Sequence, residues 1–477
     1  MKILKNTLIT LLALLVLLSP VIAVGTIIAA TPRSFSNTIY GELDDKFSRL
    51  TSVEEDKIIV VGGSSVAFGL DSALLESLAG MPVVDFGLYA AIGTKAMLDL
   101  SLAGVSSGDV VVIAPELDAQ TTSMYFSAEH MLPAVDENYL MALYLRGNSL
   151  LSLVGGAFSF AEKKLSYNGD IPDPDGIYNV RSFNEYGDIK NGLRPSNVMQ
   201  LYYDPSTPIS LSSEIFDEDF LDYLNEYAAI CESRGAKVLF SYCPINEAAL
   251  TDGSENARGE LEDFLKERLE FEVISNIYDY IYDKAYFYDT NFHLNDTGVT
   301  LRTRKLAQDL LIALGKFTVI DTVVPAPELP ELDVRYFGED DENAALFTYK
   351  RLDNGAYAIS GLTEEGKRCE SLTIPLGYEG YKVTAIASGA FSEGVATRVT
   401  VTADSNLRNF LNGCFADCSV RDVYIHYTFT EEENKLAPAS DFYGINIHVP
   451  LGSVYTQHYD WLESSDGYNM IPDIIAE

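Results

Sequence analysis

Ile58-Ile59-Val60-Val61-Gly62-Gly63-Ser64-Ser65-Val66-Ala67-Phe68-Gly69-Leu70-Asp71-Ser72 is the stretch on which the reading of this chain turns. An apolar, β-branched run of this kind reads as a strand buried on both faces, as in a parallel sheet. The glycines end the strand in a tight turn, and a helix is expected from about Ser72 to Leu78. Open parallel sheets bind ligands at the carboxyl ends of their strands. A serine hydroxyl there, among free backbone N–H groups, suits attack on a carbonyl and the oxyanion that results. The plainer alternative is a strand-to-helix turn with Ser64 or Ser65 as the helix cap.

A second stretch, Tyr288-Asp289-Thr290-Asn291-Phe292-His293-Leu294-Asn295-Asp296-Thr297-Gly298, adds to this. His293 is one of only five histidines, an acid stands four residues before it, and a helix is expected from about Val299 to Leu314. Serine is a weak nucleophile until a base takes its proton, and the base needs an acid to orient it. The chain offers all three in the order Ser, Asp, His. The bland alternative is a solvated histidine on a surface loop.

Around these residues the pattern is that of an α/β chain. Further strands are expected at 82–86, 110–113 and 237–241, with a helix at 216–233. Residues 120–211 form a long insert at the carboxyl edge of the sheet, placed to serve as a lid or substrate wall.

Residues 56–316 resemble the SGNH hydrolases, the GDSL-like lipase/esterase superfamily. The resemblance implies a doubly wound, three-layer α/β/α domain without a metal or organic cofactor. The family's Gly-Asp-Ser block falls on Gly63-Ser64-Ser65, which implies Ser65 as nucleophile. Its Asp-x-x-His block implies His293 as base, with Asp289 displaced by one position because Thr290 stands three before His293. The glycine that lends an oxyanion N–H is Gly87 or Gly93, and Glu116 stands near the position of the family's oxyanion asparagine. An ionised carboxylate accepts hydrogen bonds and donates none, so Glu116 is a departure with chemical consequences.

The ends carry other information. Lys2 and Lys5 precede a run, Leu8 to Ala30, with no charged residue. Such a run spans roughly 35 Å as a helix, enough for a bilayer. The expectation is a membrane anchor over 1–30, separate from the globular body, with the rest outside the cytoplasm. A cleaved signal peptide with a site near Val21-Ile22-Ala23 is the alternative, giving a secreted protein. Residues 31–55 are then juxtamembrane, 56–320 the α/β domain, and 321–335 a proline-rich linker.

Residues 336–477 read differently. Gly389-Ala390-Phe391 and Gly413-Cys414-Phe415 recur at a spacing of 24, as do Val399-Thr400-Val401 and Val423-Tyr424-Ile425. That period marks a solenoid with one strand per repeat. This part resembles the BspA-type leucine-rich repeats of bacterial surface proteins, which implies binding to a surface protein or glycan.

The chain has 70 acidic against 33 basic residues, a net charge of -37. Such a surface repels nucleic acid. Five scattered cysteines give neither a disulfide framework nor a zinc motif. The residues suit an extracytoplasmic esterase or acyltransferase, and the resemblance alone implies O-acyl groups of glycans or wall polymers as its substrates. The rival is a non-catalytic surface-binding protein on a degenerate hydrolase fold.

Overall fold

The computed structural model describes residues 19–20, 22–167, 176–205, 207–251, 254–330, 334–338, 341–352, 354–411, 413–426, 444–450 and 473–476. The chain divides into two units: residues 1–197 with 209–329, and residues 198–208 with 330–477. The division falls at Leu329–Pro330, inside the proline-rich run.

The first unit is a mixed α/β body built on a parallel sheet. Its strands are β1 (Ile58–Gly62), β2 (Val83–Gly87), β3 (Val110–Ile113), β4 (Lys237–Phe240) and, after the short β5 (Ile245–Asn246), β6 (Glu272–Val273). The order is β2-β1-β3-β4-β6, every pairing parallel. A separate ladder joins β5 to β7 (Ile281–Tyr282). Ile58, Ile59, Val60 and Val61 are all 0 % exposed. Successive side chains point to opposite faces, so both faces of β1 are covered. Ile58 and Val60 pack with Leu75 of helix Ser72–Ala79 and with Leu306 and Leu310 of helix Asp296–Ala313. Burying each such aliphatic side chain contributes about 1.5–3 kcal/mol relative to leaving it exposed.

Both helices start where the sequence offers caps. Asp71 accepts from the Leu74 N–H, and Asn295 from the Gly298 N–H. The chain leaves β1 to one side for β2, then returns to the other side for β3. The carboxyl end of β1 is therefore the point at which strand order reverses, where open α/β sheets form a crevice.

The N-terminal expectation is corrected in part. Residues 1–18 and 21 lie outside the described residues. Residues 22–30 are helical, but they are not separate from the body: Val24 and Ile28 are buried, and the Ile28 carbonyl accepts from Lys164 Nζ at 3.3 Å. Among the described residues, no helix is long and apolar enough to cross a membrane.

Among the described residues, the second unit holds two sheets. One is β8 (Phe347–Arg351), β9 (Tyr357–Leu362), β11 (Gly377–Tyr378) and β12 (Tyr381–Ile386), in order β11-β12-β9-β8, with β14 (Asn409–Phe410) beside β12. The other is a parallel ladder of β10 (Ser371–Thr373), β13 (Arg398–Val401), β15 (Asp422–Ile425), β16 (Asn446–Val449) and β17 (Asp473–Ala476). Val399 pairs with Val423 and Val423 with Ile447, so the recurrence seen in the sequence is the step from strand to strand. Phe391 and Phe415 stack at 5.3 Å, tying one turn of chain to the next. No disulfide forms among the described residues, and Cys231, Cys243 and Cys414 are buried.

Candidate functional site

The site forms where β1 ends. Gly63 leaves the strand with φ -94 and ψ -145, and a short helix, Ser64–Ala67, begins at once. The first residue of that helix presents its side chain outward. Ser64 Oγ lies 2.8 Å from His293 Nε2. His293 Nδ1 lies 2.8 Å from Asp289 Oδ1. With its Nδ1–H donated to the carboxylate, the imidazole turns its Nε2 lone pair to the serine hydroxyl. Serine, imidazole and carboxylate thus form one continuous hydrogen-bonded chain.

Ser64, not the expected Ser65, stands at the imidazole. Ser65 is one step further into the helical turn and 0 % exposed. Its N–H donates to Glu116 Oε1 at 2.6 Å, and its carbonyl accepts from Arg302 at 2.6 Å. In this turn the first helical position faces the imidazole, and the next is fixed by Glu116 and Arg302.

The loop from Phe287 to Leu294 explains why an acid four residues before His293 can reach it. Phe287 bridges Leu294, and the Tyr288 N–H donates to the His293 carbonyl at 2.9 Å. Thr290 Oγ1 accepts from the His293 N–H at 3.0 Å and from the Phe292 N–H at 3.2 Å. The threonine hydroxyl therefore closes the loop and leaves Asp289 to face the ring. Phe68 stacks on the imidazole, with centroids 4.1 Å apart and planes 11° apart.

Sequence reading did not single out Tyr178, which comes from the insert. Its hydroxyl donates to Asp289 Oδ2 at 2.6 Å and lies 3.4 Å from His293 Nδ1. The insert reaches the site because Asn179 bridges Thr38 and the Val180 N–H donates to the Asn37 carbonyl. A tyrosine just past a loop-like stretch carries no local pattern that announces this.

The expected oxyanion donors need correction. The Gly87 N–H is held by Asp85 Oδ1 at 2.9 Å, and the same oxygen accepts from Lys46 Nζ at 2.8 Å. The Gly93 N–H donates to the Ala90 carbonyl at 2.9 Å. Neither glycine is a free donor. The Ser64 N–H meets no acceptor among the described residues. Glu116 is at the site, with Oε1 3.5 Å from Ser64 Oγ, and it is 2 % exposed. Burial pushes its carboxyl above the usual range, against the pull of the Ser65 N–H. Among the described residues, no cluster of acids, histidines and cysteines is arranged to hold a metal ion.

Comparisons with family models, with curated proteins and with solved structures find no match to this chain.

Proposed function

We propose that this chain is a serine-dependent acyl-ester hydrolase or acyltransferase. The observation that carries the reading is the chain Ser64 Oγ–His293–Asp289, two contacts of 2.8 Å at the reversal point of a parallel sheet. His293 takes the Ser64 proton as Oγ bonds to the ester carbon. The same proton then goes to the departing alkoxide, and Asp289 holds the imidazolium. A second acyl exchange, to water or to another hydroxyl, returns the serine.

The substrate class we propose is O-acyl groups on glycans or cell-envelope polymers. It rests on the SGNH resemblance and on the uncharged N-terminal run, read as an anchor or signal that places the chain outside the cytoplasm. The second unit is read as a repeat module of the BspA type that binds a surface protein or glycan. On the face of its ladder opposite Val399, Val423 and Ile447, Arg398 is exposed and Asp422 and Tyr424 are half-buried, while His448 is buried and stacks on Tyr424 at 4.0 Å.

Ser64→Ala tests the reading. Hydrolysis of a short-chain aryl ester should fall by about a thousandfold or more, because such residues act as a unit. Labelling by a fluorophosphonate should vanish with it, while Ser65→Ala keeps both. Equal loss in Ser65→Ala, or no loss in Ser64→Ala, refutes the assignment. A second reading, a binding protein that does no chemistry, is favoured by the engaged N–H groups of Ser65, Gly87 and Gly93. Absence of any turnover across acyl chain lengths, with glycan binding retained, would establish it.

A further inference from the structure

We propose that Glu116 works as a neutral carboxylic acid which donates a hydrogen bond from Oε2 to the carbonyl oxygen of the ester at Ser64. This rests on reading Ser64, His293 and Asp289 as an acyl-transfer centre.

The surroundings of the carboxyl argue for the neutral form. It lies against Gly63, Ser64 and Ser65 of the turn, and Asp118 of its own loop and Cys243 beyond β4 are near enough to act on its charge. Asp118 is an acid, so it opposes a second negative charge. Arg302, a buried cation on helix Asp296–Ala313, donates to the Ser65 carbonyl instead. No ion pair to Glu116 forms among the described residues. A charge buried without a counter-ion is costly, and such a group takes up a proton instead.

The two oxygens have different tasks. Oε1 accepts from the Ser65 N–H, which anchors the side chain to the turn. Oε2 is buried against Gly63 with no hydrogen-bond partner within reach among the described residues, and the proposed donor proton is placed on it. Gly63 makes the approach possible, because a Cβ at that position would lie 2.3 Å from Oε2. As Ser64 Oγ bonds to the carbonyl carbon, the carbonyl π pair moves to oxygen. In the proposed complex that oxygen accepts from the Glu116 hydroxyl and from the Ser64 N–H. Glu116 keeps its proton throughout, so nothing but a hydrogen bond is asked of it. A protonated carboxyl kept neutral by an apolar site is a known form of oxyanion donor.

The test uses the full chain as wild type, Glu116→Gln and Glu116→Ala, an aryl acetate across pH, and infrared difference spectra of wild type against Glu116→Gln. Glutamine keeps an acceptor for Ser65 and restores a donor, so kcat/KM at neutral pH should stay within about threefold, whereas alanine should lose about a hundredfold. The wild-type rate should fall on the alkaline side as Glu116 ionises, and Glu116→Gln should lack that limb. A protonated-carboxyl band should appear for wild type at neutral pH and vanish in Glu116→Gln. A Glu116→Gln variant tenfold faster than wild type, an indifferent Glu116→Ala, or absence of the band overturns the donor role. If Glu116→Ala does not fold, the alkaline limb and the band decide. The band without turnover of any ester sinks the acyl-transfer reading and the donor role with it, leaving only a neutral acid.

Discussion

At the scale of the residue, one step along the chain separates the serine that meets the imidazole from one that does not. Ser64 and Ser65 are chemically identical, and the helical turn alone decides between them. Tyr178 shows the converse, a residue that matters through another. Its hydroxyl takes up Asp289 Oδ2, spreading the charge of the carboxylate that faces His293. A hydrogen bond to a charged group is worth about 1.5–3 kcal/mol. Tyr178→Phe should therefore lower kcat about tenfold with KM little changed. An unchanged kcat would reduce Tyr178 to packing.

Among elements, the loop Phe287–Leu294 and the repeat turns make the same point by different means. In the loop, the Thr290 hydroxyl caps the turn, and Asp289, one place before it, faces the ring. In the second unit β13 pairs in register with β15, and the chain before each strand contributes a ring to one aromatic stack. Phe415 is 5 % exposed, stacks on Phe391 and lies 6.0 Å from Phe410. Phe415→Ala should cost about 3–5 kcal/mol locally. Hydrogen exchange at the amides of β13 and β15 should speed up accordingly, and unchanged protection there would show that the stack is dispensable.

On the scale of the whole molecule, the acidic surplus reaches inside. Helix Glu42–Ser52 lies against β2 and carries Glu42 and Lys46 into the first unit. Both line a cavity of about 320 Å³ with Arg49 and Tyr186. Lys46 is paired with Asp85, and burial pushes Glu42 up to about 8 and Asp188 up to about 7. A carboxyl whose folded value is raised binds its proton more tightly in the native state. Its contribution is therefore present below the unfolded value near 4.5 and is lost as pH rises through about 8. The first unit should lose stability from pH 5 to pH 8, and Glu42→Gln should flatten that decline. Roughly 2–4 °C of melting temperature accompanies each kcal/mol in a large domain. Parallel melting curves for wild type and Glu42→Gln across that range would contradict the assignment.

What the sequence by itself determined was periodic or local. A β-branched run such as Ile58-Ile59-Val60-Val61 needs cover on both faces, which calls for a parallel sheet wherever it lies in the chain. Asp71 and Asn295 each cap a helix through an N–H three residues on, and the spacing from Val399 to Val423 fixes a strand-to-strand step. Asp289 and His293 were legible as a pair because they share one loop. The tertiary structure alone decided which serine faces that pair, since the answer depends on the turn's rotation against a loop far along the chain. It alone brought Tyr178 to Asp289 and set Glu116 on the Ser65 N–H. Hydrogen bonds are short and directional, and these partners stand 111 and 51 residues apart, too far for spacing to announce them.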